Sequence, residues 1–325
     1  MNIARRALGK VTASTSALWH RQPAVSAERI EQLADTFRHK ISHLGLRPPA
    51  IASTSALWLE FCAALERHAE RDDPMGFLRW PVIESTMSVI AKYVDLELDY
   101  LRSRQTYGSL WRSALWETRV GKPVPYWRFP WTSGNTIHHT YHLRRFCEAT
   151  RVRLENIPFV FEFGGGYGNL CRLLFALGFK GHYVIFDLPH FSALQSFYLD
   201  SVGLAADSIA APKRHGVTCV SHPDEANRIL RSADLTDALF VATWSLSETP
   251  LKSREWIEQH LVSFNHALMA YQDEFCGTDN ADYFMRLRGR LQASHRCRVE
   301  AITHIPGNNY LFASTAAPCC DTAVH

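Results

Sequence analysis

The residues best suited to chemistry form a glycine-rich segment, Glu162–Gly168, between an apolar stretch and an amphipathic one. Gly164, Gly166 and Gly168 allow positive φ and let a ligand approach the backbone closely. A helix that follows such a turn offers unpaired N–H groups and the positive end of its dipole. The spacing fits neither G-x-G-x-x-G nor the P-loop pattern. The remaining pattern, E-x-G-x-G-x-G, suits a ligand with a cationic amine better than a diphosphate.

A second carboxylate, Asp187, ends the next apolar stretch, 23 residues after Gly164. An acid at the tip of the second strand of an α/β sheet can accept hydrogen bonds from both hydroxyls of a ribose. Either Glu162 or Asp187 alone could simply cap a neighbouring helix. Because both flank the glycine loop, the pair favours ligand binding.

Three histidines, His138, His139 and His142, form the densest histidine cluster. On a helix, His138 and His142 share a face, whereas His139 points about 100° away. A neutral imidazole can act as a general base, and we expect His139 or His138 to do so. His142 is expected to pack beside Tyr141 or to contact substrate. The alternative is a histidine-rich interface between domains, and without a third ligand no metal site is predicted.

Three further polar residues are candidates for the same site. Glu248, four residues after Trp244, is a candidate base, and its alternative role is to favour the dipole of a following helix. Asp273 follows a predicted strand and could contact substrate, enter a helix or lie on the surface. Asn135 could hold substrate, but capping a helix is the simpler role.

An aromatic segment, residues 121–131 (GKPVPYWRFPW), contains three prolines and is therefore predicted to be extended. Its Tyr126, Trp127 and Trp131 could roof the site, stacking on a sugar or facing a cation. The alternative is that they fill the core of the helical part.

The pattern of apolar residues predicts an α/β fold from Ile157 onward, in which strands alternate with helices. The predicted strands are Ile157–Phe163, His182–Asp187, Val217–Ser221, Ala238–Trp244, Ala267–Asp273, Arg298–His304 and Asn309–Ser314. The predicted helices are Asn169–Leu177, Phe191–Val202, Asp224–Ser232 and Leu251–His266. This alternation indicates a Rossmann-like, doubly wound sheet of seven mostly parallel strands. The short connection between the last two strands predicts an antiparallel C-terminal hairpin.

The first part of the chain is predicted to be helical, because its apolar residues recur at helical spacing. The predicted helices are Ser26–Leu44, Ser53–Arg71, Glu84–Arg104 and Asn135–Thr150. We therefore expect two domains. Residues 1–150 would form a helical lid that binds the substrate which accepts a transferred group, and residues 151–325 would form the Rossmann-like domain.

Composition limits the class of protein. The chain has 325 residues, 46% of them hydrophobic and 21% charged, which excludes a disordered or small disulfide-stapled protein. A net charge of +3 without a basic cluster argues against a nucleic-acid partner. No apolar run is long enough for a transmembrane helix, so no membrane partner is expected.

Cysteine usage and the N-terminus bear on the compartment. Eight scattered cysteines without a CxxC pattern argue against a metal site and favour a reduced, cytoplasmic compartment. The first 27 residues contain basic residues and no acid. They fit a disordered basic tail better than a transit peptide.

The glycine loop, its two acids and the order of elements resemble the class I S-adenosylmethionine-dependent methyltransferases, over about residues 157–315. A narrower similarity is to a bacterial group of sugar O-methyltransferases. It rests on TSGNTIHHTYHL (132–143), EFGGGYGNLCRL (162–173), YVIFDLPHFSALQSFYL (183–199) and WSLSE (244–248).

The resemblance implies S-adenosylmethionine as the cofactor. The glycine loop would cradle its methionine part, Glu162 would reach the amino group directly or through water, and Asp187 would hold the ribose. The residues after the third strand would lie along the adenine, although Ser221 and His222 replace the acid or amide of many members. The remaining implied cofactor contacts are Leu188, Trp244 and Ser245, of which the last two would border the sulfonium.

Three functions follow as alternatives. The first is O-methylation of a small molecule, either a sugar or a specialised metabolite. The second is an intramolecular cyclase that converts S-adenosylmethionine to azetidine-2-carboxylate and methylthioadenosine. The third is a non-catalytic protein that binds the cofactor or serves as a scaffold. A homodimer is one expectation for the assembly, although no residue pattern supports it.

Overall fold

The computed structural model describes residues 21–44, 55–108, 110–204, 206–207 and 215–315. Most of the predicted basic tail lies outside these residues. Within them, no helix combines the length and the apolar character needed to cross a bilayer.

The first part of the chain is helical, as predicted, with different boundaries. Between residue 21 and the sheet, the described residues form the helices α1 Ala27–Leu44, α2 Ala56–Arg71, α3 Pro81–Met87, α4 Val94–Arg102, α5 Leu110–Ala114 and α6 Gly134–Thr150. Short 3-10 turns lie at Pro74–Arg79, Gln105–Gly108 and Leu154–Asn156.

The single helix predicted over Glu84–Arg104 was wrong, because residues 88–93 separate α3 from α4. The backbone N–H of Val89 in this break donates to the Asn135 side-chain oxygen. The Val89 carbonyl lies so near Gly134 that a Cβ there would be 2.1 Å away. Tertiary contacts with the start of α6 therefore override the local helical periodicity.

The seven predicted strands form one sheet, in which a two-residue strand joins the edge. The strands are β1 Phe159–Phe163, β2 His182–Phe186, β3 Ala206–Asp207, β4 Gly216–Val220, β5 Leu239–Thr243, β6 His266–Gln272, β9 Arg296–Ala301 and β10 Asn308–Ser314. The order is β3-β4-β2-β1-β5-β6-β10-β9. All neighbours are parallel except those of β10, which is antiparallel to β6 and β9. The predicted C-terminal hairpin is thus confirmed. A separate small hairpin contains β7 Glu274–Phe275 and β8 Thr278–Asp279.

Six helices follow β1 in the chain. They are α7 Asn169–Ala176, α8 Pro189–Ser201, α9 Pro223–Ser232, α10 Ser245–Glu248, α11 Leu251–Leu261 and α12 Asn280–Leu291. The sequence predicted neither α10 nor α12, and α11 ends five residues earlier than expected. The remaining helices match the predicted alternation of strands and helices.

The sheet has a hydrophobic cluster on each face, because side chains alternate along each strand. Val160 of β1 belongs to a cluster that also contains α7, α8 and the N-terminal helices, whereas Phe161 faces the cluster with α9, α11 and α12. The first cluster is continuous across both predicted domains: Phe37 of α1 stacks on Phe197 of α8 at 5.3 Å between ring centroids. Glu162, one position from Phe161, therefore points toward the face with the N-terminal helices.

Candidate active site

The glycine loop between β1 and α7 has the backbone that the sequence predicted. Gly164, Gly166 and Gly168 have φ of +75°, +56° and +93°, which side chains other than glycine rarely adopt. A Cβ on Gly164 would lie 2.2 Å from the Ser245 Cβ, and one on Gly165 would lie 2.5 Å from Ile185 Cγ2. The loop is thus packed between the ends of β5 and β2, and it has no room for a Cβ at Gly164 or Gly165.

Glu162 is almost completely buried beneath this loop. One carboxyl oxygen accepts a hydrogen bond from the Tyr183 hydroxyl at 2.9 Å. Burial raises the pKa of Glu162 to about 8; the Tyr183 hydrogen bond opposes this rise, and the nearby Asp187 adds to it. No cationic side chain in the described part of the chain offsets the burial, so a bound ligand that supplies a positive charge would stabilise the ionised form.

Asp187 follows β2 and lies beside the same loop. Its two oxygens accept hydrogen bonds from the Leu188 N–H and the Gln195 Nε2, both at 2.7 Å. The Gln195 amide also donates to the Gly166 carbonyl at 2.9 Å, so it ties the loop to the acid. Burial raises the pKa of Asp187 to about 7, although these hydrogen bonds oppose the rise. The backbone N–H groups of Gly165 and Gly166 also lower the pKa of Asp187, so the loop backbone faces this carboxylate.

The end of β5 supplies the third side of the site. Trp244 has a φ of +64°, its N–H donates to the Ala270 carbonyl at 2.7 Å, and its indole N–H donates to Asn308 Oδ1 at 2.6 Å. Ser245 donates to the Phe163 carbonyl at the end of β1. Glu248 ends the four-residue helix α10, and burial raises its pKa to about 7 against a hydrogen bond with Gln272.

These groups line one cavity of about 420 Å³ at the carboxyl ends of β1, β2 and β5. Ligands of open α/β sheets bind at this edge. Residues 85–89 and Trp58, from the helical part, form the opposite wall. Three carboxyl groups line the cavity, namely Glu162, Asp187 and Glu248, and no Lys or Arg of the described chain does.

The histidines of α6 lie in three different environments. His138 lines the cavity, is bonded through Nδ1 to Glu97 Oε1 at 2.7 Å, and stacks on Trp244. His139 also lines the cavity, where burial, followed by the charges of His138 and Arg172, lowers its pKa to about 3. His142 does not line the cavity; it is completely buried and bonded to Tyr310.

The structure brings most of the predicted site residues together. Ten of the predicted residues line the cavity: Glu162, Gly164, Gly166, Asp187, Leu188, Trp244, Ser245, Glu248, His138 and His139. Gly168, by contrast, packs against Leu199 and precedes α7. Ser221 lies outside the residues that line the cavity, as does His222, which is exposed.

The aromatic segment does not reach the cavity. Tyr126 donates to Asp95, and Trp131 stacks on Trp116 at 6.0 Å. Trp127 is 59% exposed. The segment folds back on itself through a bridge between Tyr126 and Phe129 and packs near α4 instead of over the ends of the strands.

Two other predicted substrate contacts also lie elsewhere. Asp273 is exposed and accepts a hydrogen bond from Asn309 at 2.7 Å. Asn135 is buried and holds Val89, while Ser133 takes the capping position of α6. Asn135 thus acts on the wall of the cavity without lining it.

Several residues of the site were missed in the sequence, chiefly Glu97, His304, Tyr93, Met87 and Gln195. Tyr93 and Met87 lie at the break between α3 and α4 that the periodicity concealed. Glu97 carried a signal, because it falls on the apolar face of α4 beside Leu98 and Leu101. A carboxylate in such a stripe needs a buried partner. Among the described residues, no group of three or more ligating side chains could hold a metal ion.

Comparison with known proteins gives matches only among solved structures. No family model and no curated protein match this sequence, so the similarity to sugar O-methyltransferases stays a prediction. A methyltransferase from Aquifex aeolicus, described as SAM-dependent, is 16% identical, with a TM-score of 0.35; the match covers 53% of this chain and 86% of that one. Magnesium protoporphyrin IX methyltransferase from Synechocystis, with bound SAM, is 14% identical, with a TM-score of 0.33; the match covers 70% of this chain and 100% of that one.

A third similar structure is the fibrillarin pre-rRNA processing protein of Methanococcus jannaschii. It is 9% identical, with a TM-score of 0.35, and the match covers 50% of this chain and 68% of that one. At such low identities and TM-scores these matches carry no argument about what this chain binds. The functional argument rests on the geometry of the cavity.

Proposed function

We propose that this chain is an S-adenosylmethionine-dependent methyltransferase that methylates a hydroxyl group of a small molecule. The observation that carries the proposal is the convergence of Glu162 and Asp187 on one cavity beside a glycine loop. Both carboxyls are buried, and no cationic side chain of the described residues contributes to the pKa of either one. A ligand with an ammonium group, a sulfonium and a ribose diol would satisfy this set.

The residues present fit such a cofactor. Glu162 would hold its amino group, the backbone of Gly164–Gly166 would face its methionine part, and Asp187 would accept from its ribose. When bound, the sulfonium supplies a methyl group that is already activated for transfer. The protein then needs mainly to align the acceptor and exclude water.

The walls of the cavity support a small, uncharged or cationic acceptor. Residues 85–89 and Trp58 cover part of the edge of the sheet, so the cavity is partly enclosed. The absence of basic side chains among the residues described as lining it disfavours a phosphate-bearing acceptor such as a nucleic acid. Glu248 and His138 lie on the acceptor side, where a group that holds or removes a hydroxyl proton is needed.

Mass spectrometry of reaction mixtures tests this proposal. Purified protein is incubated with S-adenosylmethionine carrying a deuterated methyl group, alone and with a panel of sugars and phenols. The proposal predicts S-adenosylhomocysteine and a deuterium-labelled methyl ether only when an acceptor is present. Formation of methylthioadenosine and a new amino acid without acceptor would contradict the proposal and support the intramolecular cyclase. Binding without turnover across the panel would favour the non-catalytic alternative.

A further inference from the structure

We infer that His138 is the general base, that Glu97 positions it, and that the adjacent His139 is a hydrogen-bond donor in the same cavity. This inference rests on the proposed function, since it assigns the proton transfer of that reaction. It is argued from the hydrogen-bond partners of the two imidazoles.

Glu97 and two histidines form a buried cluster behind the cavity. Glu97 is completely buried, and its Oε1 is 2.7 Å from His138 Nδ1 and 2.9 Å from His304 Nε2. Burial alone would raise the pKa of Glu97, but the charges and hydrogen bonds of His138 and His304 lower it below its ordinary value. Glu97 is therefore an ionised acceptor, and both histidines donate to it.

This partner fixes the tautomer of His138. A carboxylate can only accept, so in neutral His138 the Nδ1 atom carries the proton and Nε2 is the nitrogen with a lone pair. The ring lines the cavity and stacks on Trp244 with centroids 5.4 Å apart and planes 23° apart. His138 is thus held in one orientation, with its basic nitrogen left for a ligand.

The opposite tautomer follows for His139. The amide oxygen of Asn169 accepts from Arg172 Nε at 3.1 Å, which places the amide nitrogen toward His139 Nδ1, also at 3.1 Å. Because an amide nitrogen donates, Nδ1 of His139 accepts and its proton lies on Nε2. His139 therefore offers an N–H to a ligand, and it is a poor base because burial lowers its pKa.

The proton transfer can be written from these assignments. As the acceptor oxygen forms its bond to the methyl carbon, the bond from that carbon to sulfur breaks and S-adenosylhomocysteine is released. The hydroxyl proton moves to His138 Nε2. The resulting imidazolium keeps its Nδ1–H on Glu97, whose negative charge stabilises it. Glu97 does not touch the acceptor and is a positioning residue.

The titratable groups that face His138 come from several elements. They are Glu97 from α4, His304 from the turn before β10, Tyr93 from the break before α4, and His139 and His142 on its own helix. Glu97 is the only anion among these described neighbours. Removing its charge should destabilise the imidazolium that forms during proton transfer and move the acid limb of kcat to lower pH.

The first experiment reads the tautomers without any turnover. Two-bond ¹⁵N–¹H correlation spectra of histidine-labelled full-length protein are recorded, with H138Q and H139Q used for assignment. We expect the Nδ1–H tautomer at His138 and the Nε2–H tautomer at His139. The reverse pair would overturn the inference even if methyl transfer is demonstrated, and the expected pair would sustain it independently of activity.

The second experiment uses kinetics of the full chain. H138Q should lower kcat by about 10²–10⁴-fold, with S-adenosylmethionine affinity within about threefold of wild type. E97Q should lower kcat by roughly tenfold or more and shift the acid limb of kcat to lower pH. E148Q is the matched control, because Glu148 is an ion-paired carboxylate on α6 outside the cavity. It should leave the pH profile unchanged.

Two kinetic results would overturn the assignment. One is an H138Q enzyme with wild-type kcat. The other is an E97Q enzyme whose acid limb stays in place while only its thermal stability falls, as a purely structural ion pair would give. Because cofactor binding and the product are measured in the same samples, failure of the methyltransferase proposal itself would be seen in wild type.

Discussion

At the residue scale, the chemistry of the histidines that line the cavity depends on their hydrogen-bond partners, which lie behind the cavity wall. His138 and His139 are consecutive and both line the cavity, but one contacts a carboxylate and the other an amide nitrogen. From the sequence they were equivalent candidates for the base. Their partners Glu97 and Asn169 lie far away in the chain, so no local pattern could have separated them.

The buried carboxyls of Glu162 and Asp187 should make the stability of the protein depend on pH. Their pKa values rise from 4.5 and 3.8 to about 8 and about 7 in the folded protein without ligand. A carboxyl raised in this way binds more protons in the folded state than in the unfolded state. The contribution of these two carboxyls to the stability of the free protein should therefore fall as pH rises from about 4 to about 8, and urea denaturation of wild type and Glu162→Gln across this range measures it.

Cofactor affinity should have the opposite pH dependence, because an ammonium group pairs only with an ionised carboxylate. Between pH 5.5 and 7.5, calorimetry should show S-adenosylmethionine affinity rising with pH, by up to about tenfold per unit for each carboxyl. Glu162→Gln should weaken binding and reduce this slope. Asp273→Asn, in an exposed acid outside the cavity, should change neither. If the dependence of affinity on pH were the same in wild type and Glu162→Gln, Glu162 would not be the residue that binds the amino group.

At the element scale, the glycine loop works because strand ends leave no space around it. Gly165→Ala would place a Cβ 2.5 Å from Ile185 Cγ2 and 2.9 Å from Glu162 Oε2. We expect a loss of about 1–3 kcal/mol in unfolding free energy and weaker cofactor binding, since Glu162 must shift. Urea denaturation and calorimetry measure the two effects.

A matched control for this substitution lies on α12. Gly289 is exposed and helical, and a Cβ there would meet nothing within 4 Å. Gly289→Ala should raise stability by about 0.5–1 kcal/mol and leave binding unchanged. If the two alanine variants behaved alike, close packing would not explain the glycine loop.

The sequence predicted elements well where one periodicity dominated. Strands such as β1 and β2 are apolar runs ended by a turn, and their predicted bounds were within about two residues. The break between α3 and α4 could not be predicted, because it depends on contacts of Val89 with Gly134 and Asn135 in α6. That break supplies a wall of the cavity, so this wall was the part of the site least visible in the sequence.

The aromatic segment shows a second limit at this scale. Its prolines correctly excluded a helix, but they do not set the direction in which the segment packs. The Tyr126 hydroxyl donates a hydrogen bond to Asp95 on α4, which lies 31 residues away in the sequence. The aromatic residues that line the cavity are instead led by Trp58 and Tyr93 of the helical part. Nothing in the sequence around these two residues distinguishes them from residues of the core.

At the scale of the whole molecule, the helical part and the sheet share one hydrophobic cluster. It extends from Leu33 and Phe37 in α1 through α8 to Phe312 in β10. The two domains expected from the sequence differ in composition and charge, but both contribute residues to this one buried cluster. Opening of the helical part as a rigid lid would expose this cluster, so we expect only local movement around residues 85–89.

Unfolding measurements test this prediction. Seven of the nine tryptophans lie in the first 131 residues, so tryptophan fluorescence reports mainly on the helical part. Far-ultraviolet circular dichroism reports on the whole chain. We predict coincident thermal transitions by both probes, as two-state unfolding requires. A fluorescence transition well below the dichroism transition would show that the helical part unfolds on its own.

The central claim is that the cavity beside the glycine loop binds S-adenosylmethionine, with Asp187 on the ribose. Calorimetric titration of wild type, Asp187→Ala and Asp273→Ala with S-adenosylmethionine tests it most directly. We predict binding to wild type and to Asp273→Ala, and a loss of roughly 10–100-fold for Asp187→Ala, because charge-assisted hydrogen bonds contribute about 1.5–3 kcal/mol. Equal affinity of folded Asp187→Ala and wild type, or no binding to wild type, would contradict the claim.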